Sequence, residues 1–448
     1  MNQRMPWSHA VRVAVAGMLF AAAMFGQQSS GSLRGTIKDG QGGVVPGAKV
    51  TLTDVAQGDN RDVVTGADGT FFFNPLKPST YRVTVELTGF KKYEQKDIRV
   101  FANDRLDLPD ILMSVGAVTD SITVEAQGVV LQTRGGEKGG VLTGNQVINL
   151  ALNGRSFLDL TRTVPGVVPN GGVGGSVNGN RNNTNNLMVD GVTNIDTGSN
   201  GGQLATMNID QIAEFKMLTN SQPAEYGRSS GAAISVVTKS GTRDLHGTGY
   251  LFHRHEGLNA NNWRNNVEGR SRQLFRDNTA GFNIGGPAYI PKINPNRDKL
   301  FFFVGIEWQN RLSPNALRTV TVPTDAQRKG DFSQTREGDG RPVFIRDPLS
   351  SMPCATNTGG GGCFPGNIIP PSRINPDGQK ILNFYPMPNV PIDPQFNYAT
   401  QVSDTFPRRE NIYRGDYNIN DKWRYYARFI KTKSEQDRAY GQWNADYN

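Results

Sequence analysis

The chain has 448 residues, of which 36% are hydrophobic, and its mean hydropathy is -0.48. This length leaves room for two or three domains, and the low hydropathy excludes a bundle of membrane-spanning helices. The formal net charge is +8 at pH 7, but the charged residues are spread over the whole length without a basic helix. This distribution argues against a nucleic-acid partner.

The first 26 residues have the pattern of a secretory signal peptide. The first 12 residues contain Arg4 and Arg12, and an alanine-rich apolar run follows at residues 13–25. The run is too short to cross a ~30 Å hydrocarbon core as a helix. Small residues at 21–26 offer several cleavage sites, and we predict an exported mature chain.

Residues 28–113 alternate in hydrophobicity over short segments that are separated by turn residues. Period-two patterning with a turn every ten or so residues predicts a small antiparallel β-sandwich. The expected core residues are Phe71, Phe73, Tyr81, Val83 and Val85.

The order of four motifs in this domain resembles the carboxypeptidase regulatory-like domain, whose fold is grouped with carbohydrate-binding-like sandwiches. The motifs are Gly35-Thr36-Ile37, Val45-Pro46-Gly47-Ala48, Asp68-Gly69-Thr70-Phe71 and Tyr81-Arg82-Val83. The resemblance implies a fold and not a catalyst. Two interpretations stay open for this module, namely binding of carbohydrate or peptide and a role as a structural spacer.

Residues 114–139 are expected to be a flexible linker, apart from one β-prone heptad at 120–126. Such an isolated segment can add as a strand to a partner that has an open sheet edge. The candidate partner-binding residues are Ser121, Ile122, Thr123, Val124, Glu125 and Ala126. The alternative is that residues 122–124 form a last strand of the first domain.

Two short helices are expected after the linker. Thr143 is suited to cap a first helix with Val147, Leu150 and Ala151 on one side. Ser156 is suited to cap a second helix, which ends before a Pro-Gly pair.

The next segments alternate between glycine-rich and strand-like sequence. Residues 171–186 are so rich in Gly and Asn that no core is expected there. Residues 187–189 are predicted to form a strand that enters a tight turn at Asp190-Gly191, because Asp-Gly is a strong hairpin signal. Residues 233–238 alternate and predict another strand.

Three features of this region resemble TonB-dependent outer-membrane receptors. Residues 152–157 (LNGRSF) with 164–167 (VPGV), and residues 187–192 (LMVDGV), resemble the plug domain of that family. Residues 208–252 resemble its plug-to-barrel transition, in particular in the Oar-like group, which carries an extra amino-terminal domain.

The resemblance implies an outer-membrane receptor or transporter of a Gram-negative-type envelope, in contact with outer-membrane lipid. Its outer loops would capture an extracellular ligand, with carbohydrate and peptide among the classes considered. The segment 121–126 would be the TonB box, on which a TonB-type energy-transducing protein of the inner membrane pulls.

The remainder of the chain, 242–448, is predicted to begin a membrane β-barrel. The candidate strands are 247–252, 281–285, 300–308, 412–419 and 423–430. The aromatic residues available for interfacial girdles are Tyr250, Phe302, Trp308, Tyr413, Trp423 and Tyr425. A short turn is expected at Asn420-Asp421-Lys422, and residues 310–408 are expected to be mostly extracellular loop.

The number of strand residues sets a limit on this barrel. A receptor-type barrel of about 22 strands with ~10 residues each needs well over ~200 strand residues before loops are counted. We therefore expect an incomplete barrel with an unpaired edge, from the amino-terminal portion of a longer receptor or from a truncated product.

Cys354 and Cys363 are the two cysteines of the chain, and they lie in a Gly- and Pro-rich loop. In an exported protein such a pair is expected to form a disulfide that closes a small ring. Two isolated cysteines with no histidine nearby cannot complete a zinc site.

Two motifs suggest enzymes, and neither is accepted. Residues 227–231 fit G-x-S-x-G, but a strand is predicted after the serine where a nucleophile elbow needs a helix. His253 and Glu256 have the H-x-x-E spacing of zinc carboxypeptidases, but no histidine follows His255 to complete that site. We predict no enzyme, no metal site and no cofactor.

The predicted fold class is mainly β. It comprises an amino-terminal antiparallel β-sandwich, a small α+β plug domain and an incomplete transmembrane antiparallel β-barrel. The expected boundaries are 1–26 for the signal peptide, 28–113 for the sandwich, 114–139 for the linker, 140–241 for the plug and 242–448 for the barrel strands. The predicted function is a TonB-dependent receptor or transporter, and the alternative is a secreted carbohydrate-binding, peptide-binding or adhesion protein without transport activity.

Overall fold

The computed structural model describes residues 30–116, 121–125, 136–152, 154–223, 226–227, 230–267, 269, 271–292, 294–390, 396–420 and 423–437. These residues divide into two compact units. The first comprises Met1–Tyr250, Gly281–Glu307 and Arg409–Thr432, and the second comprises Leu251–Ala280, Trp308–Arg408 and Lys433–Asn448. Among the helices that the structure describes, none has the length and apolar character needed to span a membrane.

The first domain is a β-sandwich. Its strands are β1 (Gly31–Asp39), β2 (Lys49–Asp54), β3 (Asn60–Val64), β4 (Thr70–Leu76), β5 (Ser79–Glu86), β6 (Lys92–Val100), β7 (Arg105–Asp107), β8 (Ile111–Met113) and β9 (Ser121–Glu125). One sheet has the order β4-β1-β7, with β8 also paired to β1, and the other has the order β3-β2-β5-β6-β9. Alternate residues of both sheets form one apolar core, in which all five expected core residues are buried.

The sandwich contains pairings and strands that the sequence did not indicate. The pairs β1 with β7, β1 with β8 and β6 with β9 are parallel, because the chain crosses between the sheets instead of returning by a hairpin. Strand β6 was not predicted, since its period-two pattern is interrupted. Asp97 has a φ of +58°, and buried positions shift from Tyr93 and Gln95 to Ile98 and Val100 across this bulge.

The plug is an α+β unit with a mixed sheet. Its elements are β10 (Lys138–Thr143), α1 (Gly144–Asn149), a 3-10 helix (Phe157–Thr163), β11 (Val167–Val168), β12 (Ser176–Val177), a 3-10 helix (Asn182–Thr184), β13 (Asn186–Val189), β14 (Val192–Thr193), a 3-10 helix (Ile209–Gln211), β15 (Ile212–Asn220) and β16 (Ala233–Thr238). The main sheet has the order β10-β15-β16-β13-β14, while β11 and β12 form a separate pair. An apolar core lies between the sheet and the helices.

The first plug helix is shorter than expected. Thr143 is its N-cap residue, and its N–H donates to Gln146 Oε1 at 2.9 Å. Val147 is fully buried, but the helix ends at Asn149, so the placement of Leu150 and Ala151 on it is wrong. The six-residue helix is held by its packing, since such a short helix is not stable alone.

The expectation that residues 171–186 bury no core is also wrong. Val173 and Val177 are fully buried in the plug core. The side-chain amide of Asn185 donates to the carbonyl oxygens of Val173 and Gly175, at 2.8 and 2.7 Å. Asparagine thus satisfies backbone groups that would otherwise be buried without partners.

Two glycines in this segment allow close packing of the main chain. Gly174 has a φ of +83°, and a Cβ there would lie 2.5 Å from Ile234 Cδ1. Gly175 has a φ of +75°, and its Cβ would lie 2.5 Å from the carbonyl oxygen of Val168. The glycine content that suggested a loop is therefore what admits this segment to the core.

The last region contains five long strands and several short elements. The elements are β17 (His246–His255), a 3-10 helix (Glu256–Leu258), α2 (Trp263–Val267), β18 (Arg276–Pro287), β19 (Leu300–Pro314), β20 (Arg318–Val320), α3 (Asp325–Arg328), 3-10 helices (Pro365–Asn367 and Pro371–Arg373), α4 (Pro376–Asn383), β21 (Tyr398–Thr400), β22 (Ser403–Asn418) and β23 (Arg424–Ser434). The sheet order is β17-β18-β19-β22-β23, so the five strands form an open sheet among the described residues. We call these five the membrane strands.

The membrane strands alternate between two environments. On β19, Phe301, Phe303 and Glu307 are buried, while Trp308 is exposed. The expectation that Tyr250 belongs to an outer aromatic girdle is wrong, because its hydroxyl donates to Glu307 on the buried side. Of the turn predicted at 420–422, Asp421 and Lys422 lie outside the described residues.

The predicted loop at 310–408 is shorter and more structured than expected, since β19 continues to Pro314 and β22 begins at Ser403. Within it, Asn367 donates from Nδ2 to the carbonyl oxygens of Phe332 and Val343, both at 2.7 Å. This asparagine fixes the loop by satisfying backbone carbonyls.

Candidate functional site

The carboxyl ends of β13 and β16 bring Asp190 and Thr238 together. The two strands run parallel, with Val189 opposite Val236, so they end at the same edge of the plug sheet. The Asp190 carboxylate accepts the N–H of Thr238 at 2.8 Å and its hydroxyl at 2.6 Å. Asp190 and Gly191 have φ values of +46° and +83°, as a tight hairpin turn requires.

Two arginines of the membrane strands meet this carboxylate. Arg428 of β23 donates through Nη1 to Asp190 Oδ2. Arg414 of β22 donates to the carbonyl and hydroxyl oxygens of Thr238, at 2.9 and 3.0 Å, and lies 3.7 Å from Asp190. Asp416 balances Arg414 at 3.0 Å. All four charged side chains are at most 14% exposed, so the charges compensate one another in a largely dehydrated place.

A second polar contact forms around Arg155, which follows Gly154 in the plug motif. Arg155 pairs with Asp210, and its guanidinium lies 5.1 Å from the ring centre of Tyr250 on β17. The Tyr250 hydroxyl accepts from Asn208 Nδ2 and donates to Glu307 on β19 at 3.0 Å. Plug and strand residues thus share one hydrogen-bonded network.

A third contact is made by Thr206 of the plug. Its hydroxyl donates to Glu410 of β22 at 2.6 Å, and its N–H donates to the hydroxyl of Thr432 of β23 at 3.2 Å. Thr432 in turn donates to the carbonyl oxygen of Thr206 at 3.2 Å.

These three contacts attach the plug to the membrane strands through polar groups. One apolar contact adds to them, since Ile430 of β23 packs against the plug core. Hydrogen bonds and ion pairs between domains can be exchanged for contacts with water, whereas the separation of large apolar faces is costly. The arrangement is therefore suited to a plug that moves as a folded unit.

The predicted partner-binding segment lies on the edge of the sandwich. Ser121–Glu125 form β9, which pairs in parallel with β6 in a register from Lys92 opposite Ser121 to Lys96 opposite Glu125. Ala126 lies outside the described residues. This is the placement that the alternative interpretation expects, and the binding role of the segment stays a prediction.

The two cysteines are joined in the structure. The Cys354 and Cys363 sulfur atoms are 1.98 Å apart, and the Cα atoms are 5.1 Å apart. The ring also contains a backbone hydrogen bond from the N–H of Gly359 to the carbonyl oxygen of Ala355 at 2.8 Å. The disulfide lies far from the plug contacts in sequence and constrains a surface loop.

Replacing both cysteines by serine is expected to loosen this ring locally. Loss of loop closure at this ring size corresponds to roughly 2 to 3 kcal/mol. Hydrogen exchange of peptides covering 353–363 should accelerate, while peptides covering α4 serve as the internal control. Equal exchange with and without the bond would show that the backbone contacts alone hold the loop.

The histidines of the H-x-x-E motif have local partners. His253 Nδ1 lies 2.5 Å from Asn278 Oδ1, and His255 Nδ1 accepts the N–H of Gly257 at 2.9 Å. In the described part of the chain, no group of three or more His, Cys, Asp or Glu side chains is arranged to hold a metal ion.

The G-x-S-x-G motif is followed by a strand. Arg228 and Ser229 lie outside the described residues, and β16 begins at Ala233. A nucleophile elbow requires a helix at this place.

Sequence reasoning did not single out the strand residues of the site. Arg414 and Asp416 are charged residues at an even spacing within one strand predicted to span a membrane, and Arg428 lies in the next such strand. Charged side chains at alternate positions of such a strand face the interior. That signal was present, but it does not say which plug residue each arginine meets.

Comparison with known families matches most of the chain. Residues 32–114 match the carboxypeptidase regulatory-like domain, residues 141–234 the TonB-dependent receptor plug domain and residues 237–448 the outer membrane beta barrel domain. The three matches follow one another in the order predicted from the sequence.

Individual proteins give the same kind of match. The TonB-dependent transporter Oar of Myxococcus xanthus is 27% identical over 362 residues, which cover 72% of this chain and 31% of that protein. The chain thus spans about a third of the length of this curated relative.

Two solved structures are similar at low identity. The outer membrane transporter YddB of Escherichia coli is 12% identical, with 67% of this chain and 33% of that chain covered and a TM-score of 0.38. The siderophore receptor PirA of Acinetobacter baumannii is 13% identical, with 66% and 40% covered and a TM-score of 0.31.

Proposed function

We propose that this chain, which belongs to the TonB-dependent outer-membrane receptors of the Oar-like group, takes part in the uptake of an extracellular ligand. The order of its regulatory-like, plug and barrel domains supports this function. In this proposal residues 1–26 are the export signal, and the protein resides in the outer membrane of a Gram-negative-type envelope. The match of residues 237–448 to the outer membrane beta barrel domain supports that location. The alternative of a secreted adhesion protein is not supported by the matched families.

The main support for the proposal is the position of the Asp190 carboxylate, which accepts from Arg428 and lies 3.7 Å from Arg414. A plug fixed by an apolar interface would be a permanent part of the barrel. A plug held by polar groups can exchange its partners for water when it is pulled. The ligand binds to outer segments of the region between β19 and β22, and the plug moves when force reaches it from the periplasm.

The force enters through residues 121–126. A TonB-type protein recruits this segment as an added strand, a mode that uses main-chain hydrogen bonds. The segment now occupies the open edge of β6, so recruitment requires that β9 leave that edge. The position of β9 as the last strand of its sheet is suited to such an exchange.

Deletion of residues 120–126 is expected to abolish binding of the carboxy-terminal domain of the TonB-type protein from the same cells. Binding is measured with the purified chain and that purified domain. The deletion variant should also lose ligand uptake, because no force reaches the plug. The plug itself should stay folded.

A deletion of residues 127–133 is the matched control, since it shortens the linker by the same number of residues. This variant should retain binding. Unchanged binding after deletion of 120–126 rejects the role of the segment, and equal loss in both variants would assign the effect to linker length.

A further inference from the structure

We propose that the sandwich domain fastens the plug to the barrel: one of its loops holds plug strand β15, and another is seated on the membrane strands. This role goes beyond the proposed uptake function, and it is independent of residues 121–126. The two loops are 101–104, which follows β6, and 55–59, which follows β2.

The 101–104 loop is bound to two charged residues of β15. Lys216 Nζ donates to Asp104 Oδ1 and to the carbonyl oxygen of Ala102, both at 2.9 Å. The N–H of Ala102 donates to Glu214 Oε1 at 3.0 Å. Glu214 and Lys216 are two residues apart on a strand, so both side chains project to the face that carries the sandwich.

The contact between the 101–104 loop and β15 is buried. The side chains of Lys216 and Asp104 are 3% and 1% exposed, and Glu214 is 1% exposed. Glu214 and Lys216 belong to the plug, whereas Asp104 belongs to the sandwich. Charged groups are almost never buried to this degree unless they are paired, and here the partners come from a different domain.

The 55–59 loop makes the second attachment. Gln57 donates from Nε2 to the carbonyl oxygen of Gly241, just before β17, at 3.0 Å, and its Oε1 accepts from Asn418 at the end of β22 at 3.0 Å. Asp59 Oδ2 accepts from Arg424 Nε at the start of β23, at 2.9 Å, and lies 2.7 Å from Nη2 of the same guanidinium.

A backbone hydrogen bond adds to the attachment of the 55–59 loop. The N–H of Arg243 donates to the carbonyl oxygen of Ala56 at 3.0 Å. Gln57 is 2% exposed, so the amide that bridges Gly241 and Asn418 is itself buried. The sandwich therefore contacts the end of β22, the start of β23 and the segment between β16 and β17, as well as plug strand β15.

A domain with these two attachments restrains the plug. Displacement of β15 from the membrane strands requires either that Lys216 leave Asp104 or that the 55–59 loop leave its seat. The first attachment contains a buried ion pair, Lys216 with Asp104, and the second contains the buried side-chain amide of Gln57.

The test is hydrogen exchange on the purified full chain with Lys216→Met, which keeps the length of the side chain. The reporters are the Ala102 amide and peptides covering 212–220. The Ala102 amide should exchange about 100-fold faster, because the loss of one partner of a buried ion pair is strongly destabilising. Peptides of β15 should exchange roughly tenfold faster.

Lys49→Met is the matched control, since Lys49 also lies 2.9 Å from an aspartate, Asp62, but on the exposed face of the same sandwich. It should leave both reporters unchanged. Exchange of β5 in the sandwich core should not change in either variant, and an increase there would mean that Lys216→Met unfolds the sandwich and would overturn the inference.

Asp59→Ala tests the other attachment. The Arg243 amide should lose protection while the Ala102 amide keeps it. If Asp59→Ala has no effect, the sandwich is not seated on the strands. If Lys216→Met exposes Ala102 but leaves 212–220 protected, the sandwich binds the plug without restraining it, and either result overturns the proposal.

Discussion

Asp190→Asn is expected to weaken the attachment of the plug to the membrane strands by about 3 kcal/mol or more, the cost of breaking a buried ion pair. The carboxylate is the acceptor of Arg428 and lies 3.7 Å from Arg414. With asparagine, two guanidinium groups that are at most 14% exposed lose their shared negative charge. The replaced oxygen becomes an N–H donor that faces another donor.

Asparagine is the informative substitution because it preserves the turn. Asp190 has a φ of +46°, a conformation that asparagine also tolerates, whereas alanine would add backbone strain. The effect of Asp190→Asn is therefore assigned to charge and hydrogen bonding.

The measurement uses a reporter that the mutation does not touch. The N–H of Thr206 donates to Thr432 in a separate contact between the plug and the strands, and its hydrogen exchange should accelerate about 100-fold if the whole plug loosens. Asp196→Asn is the control, since that carboxylate accepts hydrogen bonds from its own exposed loop, at Gly198 and Ser199. Unchanged exchange at Thr206 in Asp190→Asn would mean that the arginines do not hold the plug.

The sequence predicted much of the fold because its signals are local. The alternation that marked Phe71, Phe73 and Tyr81 as core residues and the Asp190-Gly191 turn depend on neighbours along the chain, and the structure agrees with both. The family resemblance added the order of the domains, which the matched families support.

The site itself could not be predicted because it depends on contacts between distant residues. Lys216 lies within β15, and nothing near it in sequence indicates that Asp104, in another domain, is its partner. The prediction that residues 171–186 bury no core is wrong for a related reason. Their glycines look like loop residues until Asn185 and Ile234 are known to lie against them.

The contact between the sandwich and the plug is expected to weaken as the pH rises from about 4.5 to about 7. Burial raises the pKa of Glu214 from 4.5 to about 7, although the hydrogen bond from Ala102 and the charge of Lys216 oppose this shift. Asp104 and Arg99 are the other charged groups that act on Glu214. In the part of the chain that the structure describes, Glu214 Oε2 has no hydrogen-bond donor, so ionisation leaves a charged oxygen poorly compensated.

The sign follows from proton linkage. The docked state has the higher pKa and therefore binds the proton more tightly than the separated state, in which Glu214 would titrate near 4.5. The full stability of the contact is present below about 4.5, and it is lost progressively as the pH rises through 7. A shift of this size corresponds to about 3 kcal/mol.

The opening free energy of the Ala102 amide, from hydrogen exchange corrected for intrinsic rates between pH 4.5 and 8, measures this dependence. Glu214→Gln keeps an oxygen that accepts from Ala102 and removes the titration, so its profile should be flat over the same range. A wild-type profile as flat as that of Glu214→Gln would show that the carboxylate ionises in the docked state at its ordinary pKa. Because the variant retains the Lys216 contact with Asp104, a common slope in both proteins would instead assign the pH dependence to another group of the interface.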